Sequence, residues 1–494
     1  MKNKERKVFS LFSYVRSELT RGYMQECDKL LYSEKHRRVS TFMQTPRELE
    51  KLMLFGFLIC LDSFLFVVSF LPIRVFLAVS TLMWRLLCCR LSLEPAQICD
   101  ILKALIVVVC VIAMRNVDTS MVYHMVRGQS FIKLYVIINV LEIFDRLLAS
   151  IGQDTLDTLY WVALETKSKK QDYLEALFYF CVANIYVFLH TVLALFQAVT
   201  LNVAMNSHSN VLLTILISNQ FVELKGNVFK KFETANLFQM SCSDIRERFH
   251  MVVLLAVVSV RNLAAFNWDP GHLEILIPEL LMVFGSELFV DWVKHAFITK
   301  FNDIQPEVYR KYRSILAKDL ATSRYKNSRG DHSDLVSRRV GFIPLPLVCL
   351  VWHTASKSFH IHGSTGILLM ISLFLFVVSL KVLIGVLLLG KVHDYHYAEQ
   401  EGHVSSNPAT GQQLKPSDSL LSHVSQSSVT EVNCTQELKS PPSRDGLLEN
   451  IKASYSADEN VIPKEELFLK QKRHQPKKPL SEIERYTLCS NRIV

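Results

Sequence analysis

The sequence predicts an all-α multi-pass membrane protein. Three long stretches, Leu52–Leu71, Leu174–Val199 and Gly366–Leu389, each contain a single charged residue. A helix of that length crosses a hydrocarbon core about 30 Å thick. Half of the 494 residues are hydrophobic, and their concentration in such runs favours a membrane domain, because the buried helices of soluble proteins are usually shorter and amphipathic.

Composition divides the chain into three parts. Residues 1–51 form a polar N-terminal region with twelve Lys/Arg against seven Asp/Glu, and residues 52–390 contain the apolar runs. Residues 391–494 are rich in Ser, Gln, Pro, Glu and Lys. A segment of that kind buries too little apolar surface to offset its conformational entropy. We therefore expect a disordered tail, with a short helix near residues 463–471.

The remaining apolar segments are shorter or more polar. Ile101–Met114, Phe249–Phe266 and Leu273–Ile298 are further candidate spans. Phe131–Ser150 carries charges beside its apolar face, which suits an interfacial or protein-buried helix better than a lipid-exposed one. Val340–Trp352 and the run from Gly366 are separated by a short connection, so we expect a hairpin of two spans.

A short amphipathic helix is expected near the N-terminus. Its apolar residues recur at helical spacing and follow the basic run KNKERK. Such a helix can lie on an anionic cytosolic leaflet, or it can pack on the membrane domain of the same chain. The sequence leaves both interpretations open. The apolar positions are Val8, Leu11, Phe12, Val15 and Leu19.

The basic flanks predict the orientation in the membrane. Residues 300–339 hold ten Lys/Arg against five Asp/Glu, so this loop and the N-terminal region should both face the cytosol. An even number of spans must then separate them. Excluding the charged Leu273–Ile298 leaves four, and the C-terminal hairpin raises the total to six, with eight as the alternative. Both termini are then cytosolic. The basic flanks do not indicate nucleic-acid binding.

Processing signals point to the endoplasmic reticulum. The first apolar run begins at Leu52, too deep for a cleaved signal peptide, so it should act as an uncleaved signal anchor. The eleven cysteines include no C-x-x-C pair, which argues against a disulfide framework and a zinc site. Cys88 and Cys89 lie beside Arg90 at the end of an apolar stretch, where they are either palmitoylated or buried in the core.

The sequence contains no recognisable catalytic motif. Gly385–Lys391 matches most of a phosphate-binding loop, but Val392 replaces the Ser/Thr that would hold Mg²⁺. Of the histidines that lie close together, we interpret His353, His360 and His362 as loop residues, because no carboxylate or thiolate stands at a matching spacing. We assign no catalytic, cofactor-binding or metal-binding residue and expect no enzyme activity and no cofactor.

The charges of Leu273–Ile298 are the most informative polar feature. Glu287, Asp291 and His295 follow i, i+4, i+8 and share one helical face. Facing lipid, such a stripe would be costly, so it must meet protein, water or the interface. It therefore serves either as a proton or ion path or as a packing surface. The segment also contains Glu279 and Lys294.

The packing interpretation requires basic partners. Arg261 from a neighbouring helix, or Lys294 three residues after Asp291, can supply the positive charge. Asp62 and Lys381, each the only charge in a strong span, can pair across helices in the same way.

Several long blocks resemble one known family. The largest is GQSFIKLYVIINVLEIFDRLLASIGQDTLDTLYW. Together the blocks resemble the transmembrane anterior posterior transformation family of eukaryotic multi-pass membrane proteins, over about residues 14–392 and the last dozen. The blocks are Gly128–Trp161, Leu201–Phe249, Val293–Ile304 and Arg338–Leu347, with Glu18–Tyr23 and Ile483–Val494 near the two ends.

The resemblance implies a role in development rather than a reaction. Members of the family are linked to the endoplasmic reticulum membrane, the centrosome and ciliary basal body, primary cilium formation, and axial and craniofacial skeletal patterning and differentiation. A distant fungal relative acts with a SUN-domain partner. The resemblance therefore implies a non-enzymatic scaffold or receptor-like factor with membrane, centrosomal or ciliary protein partners. The alternative is an ion or small-solute transporter that uses the acidic residues of 273–298.

Overall fold

A computed structural model describes residues 11–19, 29–87, 94–165, 170–206, 211–325, 339–359 and 363–405. Within these ranges every regular element is a helix, which confirms the expected all-α fold. Their bounds are α1 Leu11–Leu19, α2 Lys29–Leu87, α3 Pro95–Met114, α4 Thr119–Arg127, α5 Phe131–Glu165, α6 Lys170–Met205, α7 Val211–Asn227, α8 Thr234–Ala265, α9 Pro270–Phe301, α10 Glu307–Tyr325, α11 Pro344–Ser358 and α12 Gly363–Ser405.

Five of the described helices are long and apolar enough to cross a membrane. They include the three runs first singled out, now parts of α2, α6 and α12, and the expected spans in α3 and α8. The charged α9 is not among them, in agreement with its exclusion from the predicted spans. The segments are Tyr32–Trp84, Pro95–Met114, Leu174–Met205, Thr234–Ala265 and Gly363–Tyr395.

The first arm of the expected C-terminal hairpin, Val340–Trp352, corresponds to α11, which is not among the five candidate spans. Helix α11 has 15 residues, so at 1.5 Å per residue it is about 22 Å long, shorter than the hydrocarbon core. It packs against α2, α3, α6 and α8, and it is surrounded by protein rather than lipid. The described part of the chain therefore has five candidate spans instead of six. The buried residues of α11 are Leu345, Pro346, Leu347, Val348, Cys349, Leu350, His353 and Thr354.

Although it is short, α11 runs from one end of the helical domain toward the other. Just before it, Arg339 donates a hydrogen bond to Asp319 at the end of α10. At its far end, the Phe359 ring stacks on Trp268 in the α8–α9 connection, with centroids 5.0 Å apart. Lys357 there donates to the Val117 carbonyl after α3. A buried helix need not match the bilayer thickness, because its neighbours rather than lipid surround it.

Arg313 of α10 joins the flanks of two candidate spans. It donates to Glu48 at 3.0 Å, just before the apolar run of α2. Its guanidinium also lies 5.6 Å from the ring centroid of Tyr395, just after the apolar run of α12. The Tyr395 ring packs edge-on against Phe55, and Lys381 pairs with Asp62 farther along the same two helices. The beginning of the apolar run of α2 and the end of the apolar run of α12 therefore lie at the same end of this domain.

Helix α5 contains the Phe131–Ser150 segment and packs along α6. The Tyr186 side chain of α6 packs directly against Gly152 of α5. A Cβ atom placed there would lie 1.9 Å from the Tyr186 ring. Tyr186 in turn hydrogen-bonds His190 at 3.0 Å. Because Gly152 has no side chain, the Tyr186 ring can occupy the space beside it.

Three expectations concern the ends of elements. The tail boundary expected at Lys391 lies inside α12, which continues to Ser405. Val392 and Tyr395 still pack on the core. The chain divides into compact units at residues 402 and 403, and residues 406–494 lie outside the described residues. So do Cys88 and Cys89. The predicted amphipathic helix is present as α1.

We expect Gly152→Ala to destabilise the protein by about 1–3 kcal/mol, because the added methyl group overpacks the α5–α6 contact and displaces Tyr186. Gly285→Ala in α9 is the matched control. A methyl group there would point into open space, with no neighbour within 4 Å, so alanine should stabilise the helix by about 0.5–1 kcal/mol. Thermal unfolding of the purified variants measures both. Equal midpoints for the two variants would contradict the close contact.

Candidate functional site

The polar stripe of α9 lies against α8 and forms the most extensive buried ionic arrangement in the described residues. We call it the ionic cluster. Its members are all buried, and they come from two helices that pack together. Without partners, each charge would carry a large desolvation cost. The cluster consists of Asp244, Arg248, Asp291, Lys294 and His295.

Two carboxylates and two cations alternate in the cluster. The Lys294 ammonium lies 2.9 Å from Asp244 and 3.0 Å from Asp291. Arg248 donates to the other oxygen of Asp291 at 2.9 Å. The formal charges of these four residues therefore cancel, and each carboxylate accepts a charge-assisted hydrogen bond.

His295 connects the cluster to α10. Its Nε2 lies 2.7 Å from Asp244 and its Nδ1 lies 2.8 Å from the Tyr309 hydroxyl. Because a carboxylate only accepts, Nε2–H donates to Asp244. Burial raises the pKa of Tyr309 well above its usual value, so the hydroxyl that faces Nδ1 keeps its proton.

Helix α2 closes the other side of the cluster. Glu50 accepts from Arg248 at 2.9 Å and from the Trp292 indole at 2.6 Å. One turn earlier, the Thr45 and Thr299 hydroxyls are 3.1 Å apart. The ionic cluster and its immediate partners thus join α2, α8, α9 and α10.

Two of the ion pairs that the sequence suggested are present, and a third is not. Lys294 does pair with Asp291, and Lys381 pairs with Asp62 across α12 and α2. Arg261 is not the partner of Asp291. Arg248 takes that role because it lies level with Asp291 on the neighbouring helix.

Sequence reasoning missed Asp244 and Arg248. Both lie in the SCSDIRERF part of a block that carries the family resemblance, and their i, i+4 spacing places them on one face of α8. That spacing could have indicated a charged face on α8. It could not indicate which helix this face contacts, because that depends on tertiary packing.

Glu287 lies beside the ionic cluster but belongs to a different contact. Gln220 of α7 donates to it at 2.6 Å, and Ser286 donates to Gln220 at 2.6 Å. Burial, followed by the nearby Asp291 carboxylate, raises the pKa of Glu287 to about 8. The Glu287 side chain is therefore mostly protonated at neutral pH. Glu279 lies about two turns before Glu287 in α9 and is not a member of the ionic cluster.

A second buried polar group lies between α5, α6 and α8. His190 bridges Asp145 at 3.1 Å and Tyr186 at 3.0 Å. Asp145 and His190 also line a cavity of about 20 Å³ together with Arg246 and His250. A cavity of that size has room for about one water molecule. It does not have the volume of a substrate pocket.

The phosphate-loop-like segment and the neighbouring histidines are not arranged as a chemical site in the described residues. Gly385–Lys391 lies within the continuous helix α12 and forms no phosphate-binding loop. His353 is a buried residue of α11, not a loop residue as expected, while His360 and His362 lie outside the described residues. Within the described part of the chain, no group of three or more His, Cys, Asp or Glu could hold a metal ion.

Five apolar helices and internally paired charges define a multi-pass helical membrane protein. Residues 93–396 match the model of a eukaryotic membrane protein family. The chain is 47% identical over 505 residues to the human transmembrane anterior posterior transformation protein 1 homolog, covering 99% of this chain and 88% of the relative. The mouse protein of that name is also 47% identical, over 509 residues, covering 100% and 90%.

The similarity extends beyond vertebrates. A Drosophila melanogaster protein, the TAPT1 homolog, is 42% identical over 409 residues, or 81% of this chain and 60% of the relative. The chain belongs to the transmembrane anterior posterior transformation protein 1 family. No solved structure matches it.

We expect Asp291→Ala to destabilise the protein by about 3–5 kcal/mol, because it leaves Arg248 and Lys294 buried without one of their counter-charges. Glu274→Ala is the control. It removes a carboxylate from the same helix at an exposed position, and its effect should stay within about 0.5 kcal/mol. Unfolding midpoints and steady-state abundance measure the difference. Similar abundance and midpoints for the two variants would contradict a structural role for the cluster.

Proposed function

We propose that this protein is a non-enzymatic membrane scaffold that works by binding. The observation that supports this proposal best is the ionic cluster, in which the charges of α9 are used to hold α2, α8, α9 and α10 together. Asp291 and Lys294 are both buried and mutually paired, so neither is presented to a substrate. Charges arranged in this way favour a rigid platform rather than a reaction centre.

Membership of the family is the basis for proposing a location and a biological role. We propose that the protein resides in the endoplasmic reticulum membrane and acts in primary cilium formation, with effects on axial and craniofacial skeletal patterning. Its proposed partners are centrosomal, basal-body or other membrane proteins, including a SUN-domain protein. The names of the vertebrate relatives, which refer to anterior posterior transformation, support the developmental part.

A transporter is the second candidate, and Glu287 is the observation in its favour. A carboxyl group with a pKa near 8 can gain and lose a proton near neutral pH, as a proton-coupled carrier requires. Against this candidate, Glu287 bonds to Gln220, and the neighbouring Asp291 is already saturated by two cations.

The two candidates differ in what Glu287→Gln does. Glutamine resembles the protonated carboxyl and can keep the contact with Gln220, so for a scaffold we expect normal abundance and full rescue of cilia in depleted cells. Proteoliposomes should show no ion flux above empty vesicles, and proximity labelling should recover centrosomal or reticulum proteins. An abundant, correctly located Glu287→Gln variant that fails to rescue, together with a flux that it abolishes, would establish the transporter instead.

We also propose that the N-terminal region and the end of α12 both face the cytosol. Five candidate spans alone would put them on opposite faces. Arg313 supports the same face, because it contacts the flanks of both α2 and α12. The count of five leaves out α9 and α11, so it does not fix the parity of the chain.

The sequon Asn433-Cys434-Thr435 tests this orientation. In a cytosolic tail Asn433 never meets the glycosylation machinery, so we expect no shift in mobility after endoglycosidase treatment. An artificial sequon inserted after Phe359, at the opposite end of α11, should be glycosylated and serves as the positive control. Glycan at Asn433 would contradict the proposed orientation.

A further inference from the structure

Helix α1 presents an apolar face that the described part of the protein leaves exposed. Leu11 and Leu19 are each 81% exposed, and Phe12 is 76% exposed. With Val15 they fall within an arc of about 100° around the helix, the usual width of a buried helical face. Bringing such a face out of water is favourable, because the stabilisation grows with the apolar area removed.

The surroundings of this face are basic. Residues 1–22 contain six Lys/Arg and two Asp/Glu, a net charge of +4. In the first turns of α2, the Lys35 and Arg37 side chains are exposed as well. Arg16 follows Phe12 by four residues and therefore flanks the apolar face. An apolar stripe combined with clustered positive charge is complementary to a surface of anionic phospholipid.

The position of α1 in the chain favours its own membrane as that surface. The connection between α1 and α2 is residues 20–28, and nine residues can span up to about 30 Å. The apolar run of α2 begins at Leu52, about 35 Å along the helix from Lys29. An extended connection is of comparable length, so α1 stays tethered within reach of the membrane surface. Tethering raises the effective concentration of the lipid surface, and even a weak intrinsic affinity is then sufficient for binding.

We propose that α1 lies flat on the anionic cytosolic leaflet of the membrane that holds the rest of the chain, with Leu11, Phe12, Val15 and Leu19 inserted among the lipids. The neighbouring basic residues contact the phosphate and carboxylate head groups. Of the two interpretations that the sequence leaves open, the exposure of the apolar face favours the lipid surface over packing on the protein's own membrane domain.

Amide hydrogen exchange of the full-length protein in nanodiscs tests the proposal. We expect residues 11–19 to exchange at least about tenfold more slowly in discs of phosphatidylcholine with phosphatidylserine than in discs of phosphatidylcholine alone, and this difference should shrink at high salt. Phe12→Ser with Val15→Ser should remove the protection. Ser13→Ala with Ser17→Ala, at polar positions of the helical pattern, should retain it. Because α1 is peripheral, exchange in α8 should be the same for all variants.

The other outcomes each overturn the proposal. Equally slow exchange in both kinds of disc would show that α1 packs on the protein's own membrane domain. Fast exchange in both kinds of disc would show that the lipid surface does not bind it and would leave the apolar face to a protein partner. Protection that persists in the Phe12→Ser, Val15→Ser variant would show that the apolar face is not the contact.

Discussion

The pairing of charges inside an apolar domain is the constraint on which the structure depends. Asp244, Arg248, Asp291 and Lys294 come from two helices and are all buried. None of them can be removed without leaving a partner uncompensated, and that penalty in a low-dielectric environment exceeds the worth of most single apolar contacts. The cluster therefore sets how α8 and α9 align along their length. Glu50 and Tyr309 extend the same alignment to α2 and α10.

A second consequence of burial concerns α11. This helix is too short to span lipid, yet it lies in the middle of the domain among α2, α3, α6 and α8. The rule that a span needs about twenty apolar residues applies to helices that face lipid. A helix enclosed by protein need not have that length, because the polar backbone groups at its ends contact other residues instead of hydrocarbon. Counting apolar runs alone therefore says little about enclosed helices of this kind.

These two features bear on the choice between a scaffold and a transporter. Conduction needs sites that bind a solute and release it again, and the polar groups near such sites are usually bordered by water. Asp291 instead contacts two cations at close to 3 Å, and the cavity beside Asp145 has room for about one water molecule. Glu287 is the exception, because its carboxyl group is held by an uncharged amide. The balance of these contacts favours a rigid membrane domain.

The sequence by itself determined the class of the protein, the positions of the apolar helices and the fact that the α9 charges needed partners. Those conclusions depend on local composition and on helical periodicity, which are properties of neighbouring residues. It also indicated the pair Asp62–Lys381, since lone charges in apolar runs have few possible partners, and the pair Asp291–Lys294, since their i, i+3 spacing makes them neighbours on one helix. Only the tertiary structure decided that Arg248 rather than Arg261 neutralises Asp291, and that α11 is buried. Both outcomes depend on which helices become neighbours, and side-chain contacts between residues far apart in the chain leave no periodic signal in the sequence.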